Sequence, residues 1–235
     1  MSMERQPGTP RRSPGRPKRE DQAPAVRERI LHAASALFME QGYKPVSMQQ
    51  VAHAAGVTKA SVYYYYPGKS DLFTASIVQM MERIRASVAR MLAEPGSLRE
   101  QLERIAEAKL DHAHIEFEAM MRDASFSLSP EKRERIRGAE SAIHEELAEH
   151  FAKVMEAGET AVSDPLLMAL AFASLLMLGN RREELRPDAA GRTLAAQIVD
   201  LFWRGAAPRT GGTAADGESP PESPLRPEGV RNSRE

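Results

Sequence analysis

Residues 47–66, SMQQVAHAAGVTKASVYYYY, decide the fold class. Ser47 followed by Gln50 is a capping-box pattern, in which each side chain accepts a hydrogen bond from the other residue's backbone N–H. Gly56 predicts a tight turn after this short helix, and Thr58 is placed to cap the next helix. Two short helices joined by a glycine turn are typical of a helix-turn-helix unit.

The same helical spacing extends in both directions. One helix is predicted upstream, because apolar residues recur at steps of three or four before a glycine: Val26, Ile30, Ala33, Leu37, Phe38 and Gly42. A long fourth helix is predicted downstream, ending at Pro95, with an apolar stripe at Phe73, Ile77, Met80, Ile84, Val88 and Met91. No convincing run alternates apolar and polar residues, so we predict an all-α protein of about nine helices.

Composition divides the chain into four parts. Residues 1–23 are rich in Pro, Arg and Gly, and residues 207–235 in Pro, Gly, Ser and charge, so both ends are predicted to be disordered. Between them we expect a helix-turn-helix DNA-binding domain at 24–70. A second helical domain is expected at 71–206.

The net charge of the whole chain is only -1, but its distribution is uneven. Residues 1–19 hold six Lys and Arg against one Glu, a local balance of +5. Within this arm, Arg16 lies between Gly15 and Pro17, and this basic segment resembles an AT-hook that places arginine in a narrow minor groove. The alternative is a basic tail that attracts phosphates without specificity. Both interpretations give DNA as the partner.

Several classes of protein are excluded or disfavoured. The absence of cysteine rules out disulfides and thiolate metal sites. The basic N-terminus lacks the apolar segment of a secretory signal. The longest apolar run, 165–179, is shorter than the ~20 residues that a membrane span needs, so we predict a cytoplasmic protein without membrane contact.

Enzyme and metal-site motifs are also missing. Residues 68–70, GKS, end like a phosphate-binding loop, but Tyr63 stands where that loop requires a glycine. His112, His114 and Glu118 lie close in sequence, yet the two histidines would face different sides of a helix. We therefore predict no metal, no cofactor and no catalytic residues.

Residues ~27–75 resemble the DNA-binding signature of the TetR family of transcriptional regulators. The resemblance rests on Arg29 to Ala34, Leu37-Phe38, Gln41-Gly42-Tyr43, Ser47-Met48, Val51-Ala52, Ala55 to Lys59 and Tyr63 to Leu72. It implies a homodimer that binds a palindromic operator in double-stranded DNA, usually as a repressor. It also implies an inducer pocket in the helices that follow, so 71–206 is expected to be a ligand-binding and dimerisation domain.

The resemblance assigns roles to individual residues. Ser47 and Thr58 correspond to helix caps that contact phosphates. Lys59, Ala60 and Ser61 correspond to the base-facing start of the recognition helix.

The tyrosine run that follows has two interpretations. Tyr63 and Tyr64 match positions that contact the DNA backbone, although Tyr64 and Tyr65 stand where the family often has histidine. Tyr66 matches a buried aromatic residue, and Lys69 matches a lysine that reaches a phosphate. The alternative is that the four tyrosines serve mostly in packing.

The inducer pocket has no sequence motif of its own. Aromatic and methionine side chains suit an apolar or amphipathic inducer but equally an ordinary core. The candidates are Leu102, Ile105, Phe117, Met120, Met121, Phe126, Phe151 and Met155. Nearby polar residues could orient a ligand or face water: Asp111, His112, His114 and Glu118.

Dimerisation is assigned to two apolar helices, 163–179 and 187–205. Their apolar surface exceeds what a single neighbouring helix pair covers, and the resemblance implies a four-helix bundle with the partner. Two alternative functions remain open: a helical DNA-binding regulator without a small-molecule ligand, and an enzyme.

Overall fold

The computed structural model describes residues 19–110, 117–158, 160–185 and 191–207. Within these residues it contains nine α-helices and no strand, which confirms the predicted all-α class. The helices are α1 (Arg19–Gln41), α2 (Met48–Ala54), α3 (Lys59–Tyr65), α4 (Lys69–Ala93), α5 (Leu98–Leu110), α6 (Phe117–Ser125), α7 (Pro130–Glu156), α8 (Pro165–Leu176) and α9 (Leu194–Ala206).

Helix α1 begins earlier than the sequence predicted. It starts at Arg19, whereas disorder was expected as far as residue 23, and Pro24 lies inside it. The intervening residues, 20–23, contain no helix breaker, and a proline near a helix start removes only one backbone donor. Residues 1–18 and 208–235 lie outside the described residues, so the predicted disorder of both ends remains a prediction.

An aromatic cluster holds the N-terminal helices together. The rings of Phe38 and Phe73 meet edge-to-face with centroids 4.9 Å apart, and Tyr43 meets Phe73 in the same way at 5.0 Å. Val51 of α2 and Val62 of α3 are fully buried in the same core. The two short helices are therefore fixed by packing against α1 and α4.

This first core does not end at residue 70. It continues through Leu72 and Ile77 of α4, Met120 of α6, and Leu128 and Ile136 on either side of the α7 start, all of them buried. The predicted boundary between the two domains therefore passes through a shared core. Whether 24–70 and 71–206 act as separate domains remains a prediction.

A second core fills the other end of the molecule. The ring centroid of Phe202 lies 5.6 Å from that of Phe151 and 5.3 Å from that of Phe172, so α7, α8 and α9 meet there. Val88 and Leu92 bring the end of α4 into this cluster. Helix α4 thus joins the two cores.

The predicted stripe of α4 is only partly correct. Phe73, Ile77 and Val88 are buried, whereas Met80 and Met91 are half-buried and Ile84 is exposed. Helix α4 packs against α1 on one side and α7 on another, so its buried surface is wider than one stripe. The buried residues of α4 that the predicted stripe did not include are Leu72, Thr74, Ser76, Met81 and Leu92.

The two apolar C-terminal helices are shorter than predicted. Helix α8 ends at Leu176 and a 3-10 segment, Met177–Glu184, follows, so the single helix expected at 163–179 was wrong. The sequence also predicted a helix from residue 187. This was wrong for the described residues 191–193, which are not helical and precede α9. Gly191 has a positive φ of 69°, and Thr193 caps α9 by accepting from the Ala196 backbone N–H at 3.2 Å. No helix in the described parts of the chain is long and apolar enough to cross a membrane.

One carboxylate ties α9 to its surroundings. Asp200 accepts from Arg99 of α5 at 3.0 Å, from Arg204 at 3.0 Å and from Arg192 at 3.3 Å. The hydrogen bond from Arg99 is the main cause that holds the pKa of Asp200 below its ordinary value, and the other two arginines add to it.

We predict that Asp200→Asn lowers Tm, because three guanidinium groups then share no carboxylate. A depressed folded-state pKa means that the carboxylate stabilises the fold above about pH 4 and loses this contribution as pH falls through the folded pKa. Circular dichroism melting should therefore show the full difference in Tm between variant and wild type at pH 7. This difference in Tm should shrink below about pH 4.

Glu134→Gln serves as the control, because it removes a carboxylate from the exposed pair with Arg137. Its Tm should stay close to that of wild type. An equal decrease in Tm in the two variants would contradict a special role for Asp200.

Candidate nucleic-acid interface

The start of α2 has the predicted capping box. The Gln50 backbone N–H donates to Ser47 Oγ at 3.2 Å, and the Ser47 backbone N–H donates to Gln50 Oε1 at 2.7 Å. Ser47 is exposed, so its hydroxyl proton is available to a second acceptor. The prediction of this cap from the sequence is confirmed.

The turn between α2 and α3 is a Schellman motif. The Gly56 N–H donates to His53 O at 3.1 Å and the Val57 N–H to Ala52 O at 3.0 Å. Gly56 adopts φ of 64°, a left-handed conformation that favours glycine. This turn fixes the direction in which α3 leaves α2.

Helix α3 presents one face to solvent. Thr58 Oγ1 accepts from the Ser61 backbone N–H at 3.1 Å, as predicted for its cap. Lys59 and Ala60 are exposed, and the Lys59 ammonium lies 5.8 Å from the centroid of the Tyr63 ring. Val62 points into the core, whereas Ser61, the third predicted base-facing residue, is half-buried and its hydroxyl lies 2.8 Å from Thr58 Oγ1.

The four tyrosines divide between surface and core. Tyr63 and Tyr64 have 45% and 82% of their surface exposed, Tyr65 is half-buried, and Tyr66 is buried. The Tyr66 hydroxyl accepts from Arg27 Nε at 3.2 Å, which raises the pKa of Arg27. The first two are free to meet a partner, and the prediction of a buried aromatic at Tyr66 is confirmed.

Lys69 is engaged within the molecule. Its ammonium donates to the carbonyl of Lys44 at 2.9 Å and lies 4.5 Å from the centroid of the Tyr43 ring. Partial burial lowers the pKa of the Lys69 ammonium. Lys69 therefore anchors the turn between α1 and α2, in addition to its predicted approach to a phosphate.

Two ion pairs connect this region to later helices, and sequence reasoning missed both. Lys44 Nζ lies 2.9 Å from Asp123 Oδ1 of α6. Lys132 Nζ of α7 lies 2.8 Å from Asp71 Oδ1 and 2.9 Å from Ser70 Oγ, both in the first turn of α4. The Lys44 and Asp123 pair spans 79 positions in the chain, so no local pattern could indicate it.

The predicted inducer residues do not come together. Phe117, Met120 and Met121 belong to the first core, whereas Leu102, Ile105, Phe151 and Met155 belong to the second. Phe126 is 95% exposed. Apolar spacing along a helix does not reveal which core a side chain enters, and whether any of these candidates lines an inducer pocket stays a prediction.

The described residues form two open grooves, which other side chains line. A groove of about 350 Å³ between α4 and α7 is lined by Val78, Glu82, Arg85, Arg135, Ala139 and Ala142. A larger groove, of about 640 Å³, runs along α1. Its lining includes Arg29, His32, Ala36, Ala54 and Arg83.

Some predicted residues lie outside the described parts of the chain. These include Arg16 and the candidate polar residues Asp111, His112 and His114; Glu118 is within α6, but its side chain is not described. Among the described residues, no group of three His, Cys, Asp or Glu side chains could hold a metal ion.

Comparison with known proteins identifies the helix-turn-helix. Residues 30–75 match the family described as "Bacterial regulatory proteins, tetR family". The HTH-type transcriptional regulator LmrA of Bacillus subtilis (strain 168) is 41% identical over 64 residues, which are 27% of this chain and 34% of LmrA. The chain thus matches only about a third of that relative's length.

Solved structures extend the similarity of fold over most of the chain. The crystal structure of E. coli NemR in its reduced form aligns with a TM-score of 0.62 and 16% identity, covering 77% of this chain and 97% of that chain. AibR in complex with isovaleryl coenzyme A and operator DNA aligns with a TM-score of 0.53 and 23% identity, covering 78% of this chain and 98% of AibR. Residues 30–75 thus match the TetR family of bacterial regulatory proteins in sequence, and most of the chain shares the fold of NemR and AibR.

Proposed function

We propose that this chain is a transcriptional repressor that binds a palindromic operator as a homodimer and is released by a small-molecule inducer. The observation that carries the proposal is the exposed face of α3, where Lys59, Ala60 and Tyr63 stand on a helix fixed by the Thr58 cap. A cation, a small residue and a hydroxylated aromatic suit contact with base edges and phosphates in the major groove.

The caps Ser47 and Thr58, the exposed Tyr64 and the half-buried Lys69 complete the proposed DNA surface. Their neutral hydroxyls and single ammonium would contact phosphates, while Lys59, Ala60 and Ser61 would meet bases. This division of roles follows the family resemblance and is supported by the exposure of Ser47, Thr58, Lys59, Ala60 and Tyr64.

The proposed dimer interface is formed by α8 and α9. Leu166, Leu167, Leu170 and Met177 expose 42% to 55% of their surface around α8, and Leu201 of α9 exposes 60%. Large apolar side chains that gather on one part of a surface indicate a protein contact, and a two-fold interface would bury them against the partner's copies.

Helix α4 would carry the signal between the two ends. Leu72 and Phe73 fix its start in the first core, while Val88 and Leu92 fix its end in the second. A ligand that shifts the second core would tilt α4 and change the separation of the two recognition helices. Since this separation must match the DNA helical repeat, a change of a few ångström would weaken operator binding.

The proposed inducer is suggested by a protein that shares the fold. AibR, which shares the fold, is described with both isovaleryl coenzyme A and operator DNA. The packing of the predicted pocket residues into two separate cores favours a second candidate, a DNA-binding regulator without a small-molecule ligand. Mass spectrometry of small molecules that co-purify with the protein separates the two: a stoichiometric metabolite supports an inducer, and its absence supports the second candidate.

We predict that Lys59→Ala changes discrimination among DNA sequences, with about 1 to 3 kcal/mol lost at one contacted base pair. Lys69→Ala should instead weaken binding to every sequence about equally. Fluorescence anisotropy with a set of operator variants at one salt concentration measures both effects.

Lys153→Ala is the matched control, because it removes an exposed lysine charge in the last turn of α7. It should leave both affinity and discrimination unchanged. If Lys59→Ala and Lys69→Ala both reduce affinity uniformly, Lys59 contacts only phosphate.

We predict that Leu170→Glu combined with Leu201→Glu converts the dimer to a monomer. Both side chains are exposed in the single chain, so glutamate there should leave each subunit folded and should act only by burying charge in the interface. Sedimentation velocity, with circular dichroism as a check on folding, measures the outcome.

Ile84→Glu on α4 provides the comparison, because Ile84 is an exposed apolar residue outside the proposed interface. This variant should remain dimeric. A folded dimer from the double variant would refute the assignment to α8 and α9.

The basic arm is proposed to read the minor groove beside each half-site through Arg16. Arg16→Ala should then remove most of a preference for A·T-rich over G·C-rich flanking DNA, whereas Arg5→Ala should retain it. Measuring operator affinity for both flank types at a fixed salt concentration distinguishes minor-groove reading from an unspecific tail. An equal preference in wild type and both variants would leave an unspecific tail.

A further inference from the structure

We propose that Lys44 is an additional phosphate contact of the DNA-binding surface, and that Asp123 of α6 holds its ammonium and thereby limits the affinity for DNA. The inference rests on the proposed DNA-binding function. It adds a contact residue that the helix-turn-helix pattern does not include and a carboxylate that controls it.

The position of Lys44 favours contact with DNA. It lies in the turn between α1 and α2, three residues before the Ser47 cap, and 71% of its side chain is exposed. Its carbonyl accepts from Lys69 at 2.9 Å, so its backbone is fixed beside a second proposed phosphate contact. A flexible lysine side chain at this place can reach the backbone of DNA that lies against Ser47 and Lys69.

The partner of Lys44 is the carboxylate of Asp123, which belongs to α6. Asp123 Oδ1 lies 2.9 Å from Lys44 Nζ, and about half of the Asp123 side chain is exposed. Exposed ion pairs of this kind contribute little to the stability of a fold. A DNA phosphate can therefore compete for the same ammonium, while the Asp123 charge repels that phosphate.

The position of Asp123 is fixed by the packing of α6. Met120 and Ala124 of α6 are buried in the first core. Arg133 of α7 donates to the carbonyls of Ser125 and Leu128, at 3.1 and 2.7 Å, and so fastens the end of α6 to α7. Any shift of α6 and α7 relative to α1 would change the separation of Asp123 and Lys44. The charge presented to DNA would change with it.

Asp123→Asn tests the inference, because it removes the competing charge and keeps the shape of the side chain. We expect tighter binding of the full-length protein to a mixed-sequence 30-base-pair duplex, on the order of tenfold at 0.1 M salt for each lysine released. The dependence of log K on log salt should become steeper by about 0.9 per subunit. Fluorescence anisotropy between 50 and 200 mM KCl measures both quantities.

Lys44→Met in two backgrounds identifies the cation responsible. The loss of affinity should be several-fold larger in the Asp123→Asn background than in wild type, and the double variant should return to the salt slope of Lys44→Met alone. Glu94→Gln is the matched control: Glu94 pairs with Arg104 at 3.0 Å at the far end of α4, about 38 Å from Lys69 by helix rise. It removes the same charge and should leave the salt slope unchanged.

A purely structural role for the pair gives different results. Asp123→Asn, and Asp123→Ser as a second variant, would then lower Tm and leave the salt slope unchanged. Alternatively, Lys44→Met would reduce the affinity for DNA by the same factor in both backgrounds. Either result overturns the inference. If wild type binds DNA and Lys59→Ala alters its discrimination, such a result leaves the proposed function intact, whereas wild type that fails to bind duplex DNA at 50 mM KCl overturns both.

Discussion

The proposed DNA-binding surface depends on a packing constraint: α2 and α3 have seven residues each, and helices of this length are not stable alone in water. Their stability comes from burying Val51 and Val62 against the ring cluster of Phe38, Tyr43 and Phe73. The rings come from α1, the following turn and α4. Helix α3 is therefore rigid only to the extent that α4 is in place.

This dependence explains why the boundary near residue 70 does not separate two cores. Lys69 and Asp71 begin α4, and their side chains contact the α1–α2 turn and α7 respectively. Buried residues of α6 and α7 complete the same core. Any movement of the later helices must then be transmitted to the helix-turn-helix by packing and by ion pairs, without a flexible linker in the described residues between α3 and α6.

The sequence predicted best those features that are determined locally. The capping box of Ser47 and Gln50, the Gly56 turn and the Thr58 cap each involve residues within five positions, and each was confirmed. Features that depend on distant packing could not be predicted. The Lys44 and Asp123 pair has no local signal, and the division of the pocket candidates between two cores follows from how α4 crosses the molecule.

We propose that two copies of this chain read DNA with two-fold symmetry. Selection of bound sequences from a pool of random duplexes, using the full-length protein, tests this proposal. Two-fold reading predicts enrichment of an inverted repeat whose half-site centres are separated by about one helical turn, roughly 10 base pairs, or a multiple of it. Enrichment of a single asymmetric half-site, or of no sequence at all, would contradict it.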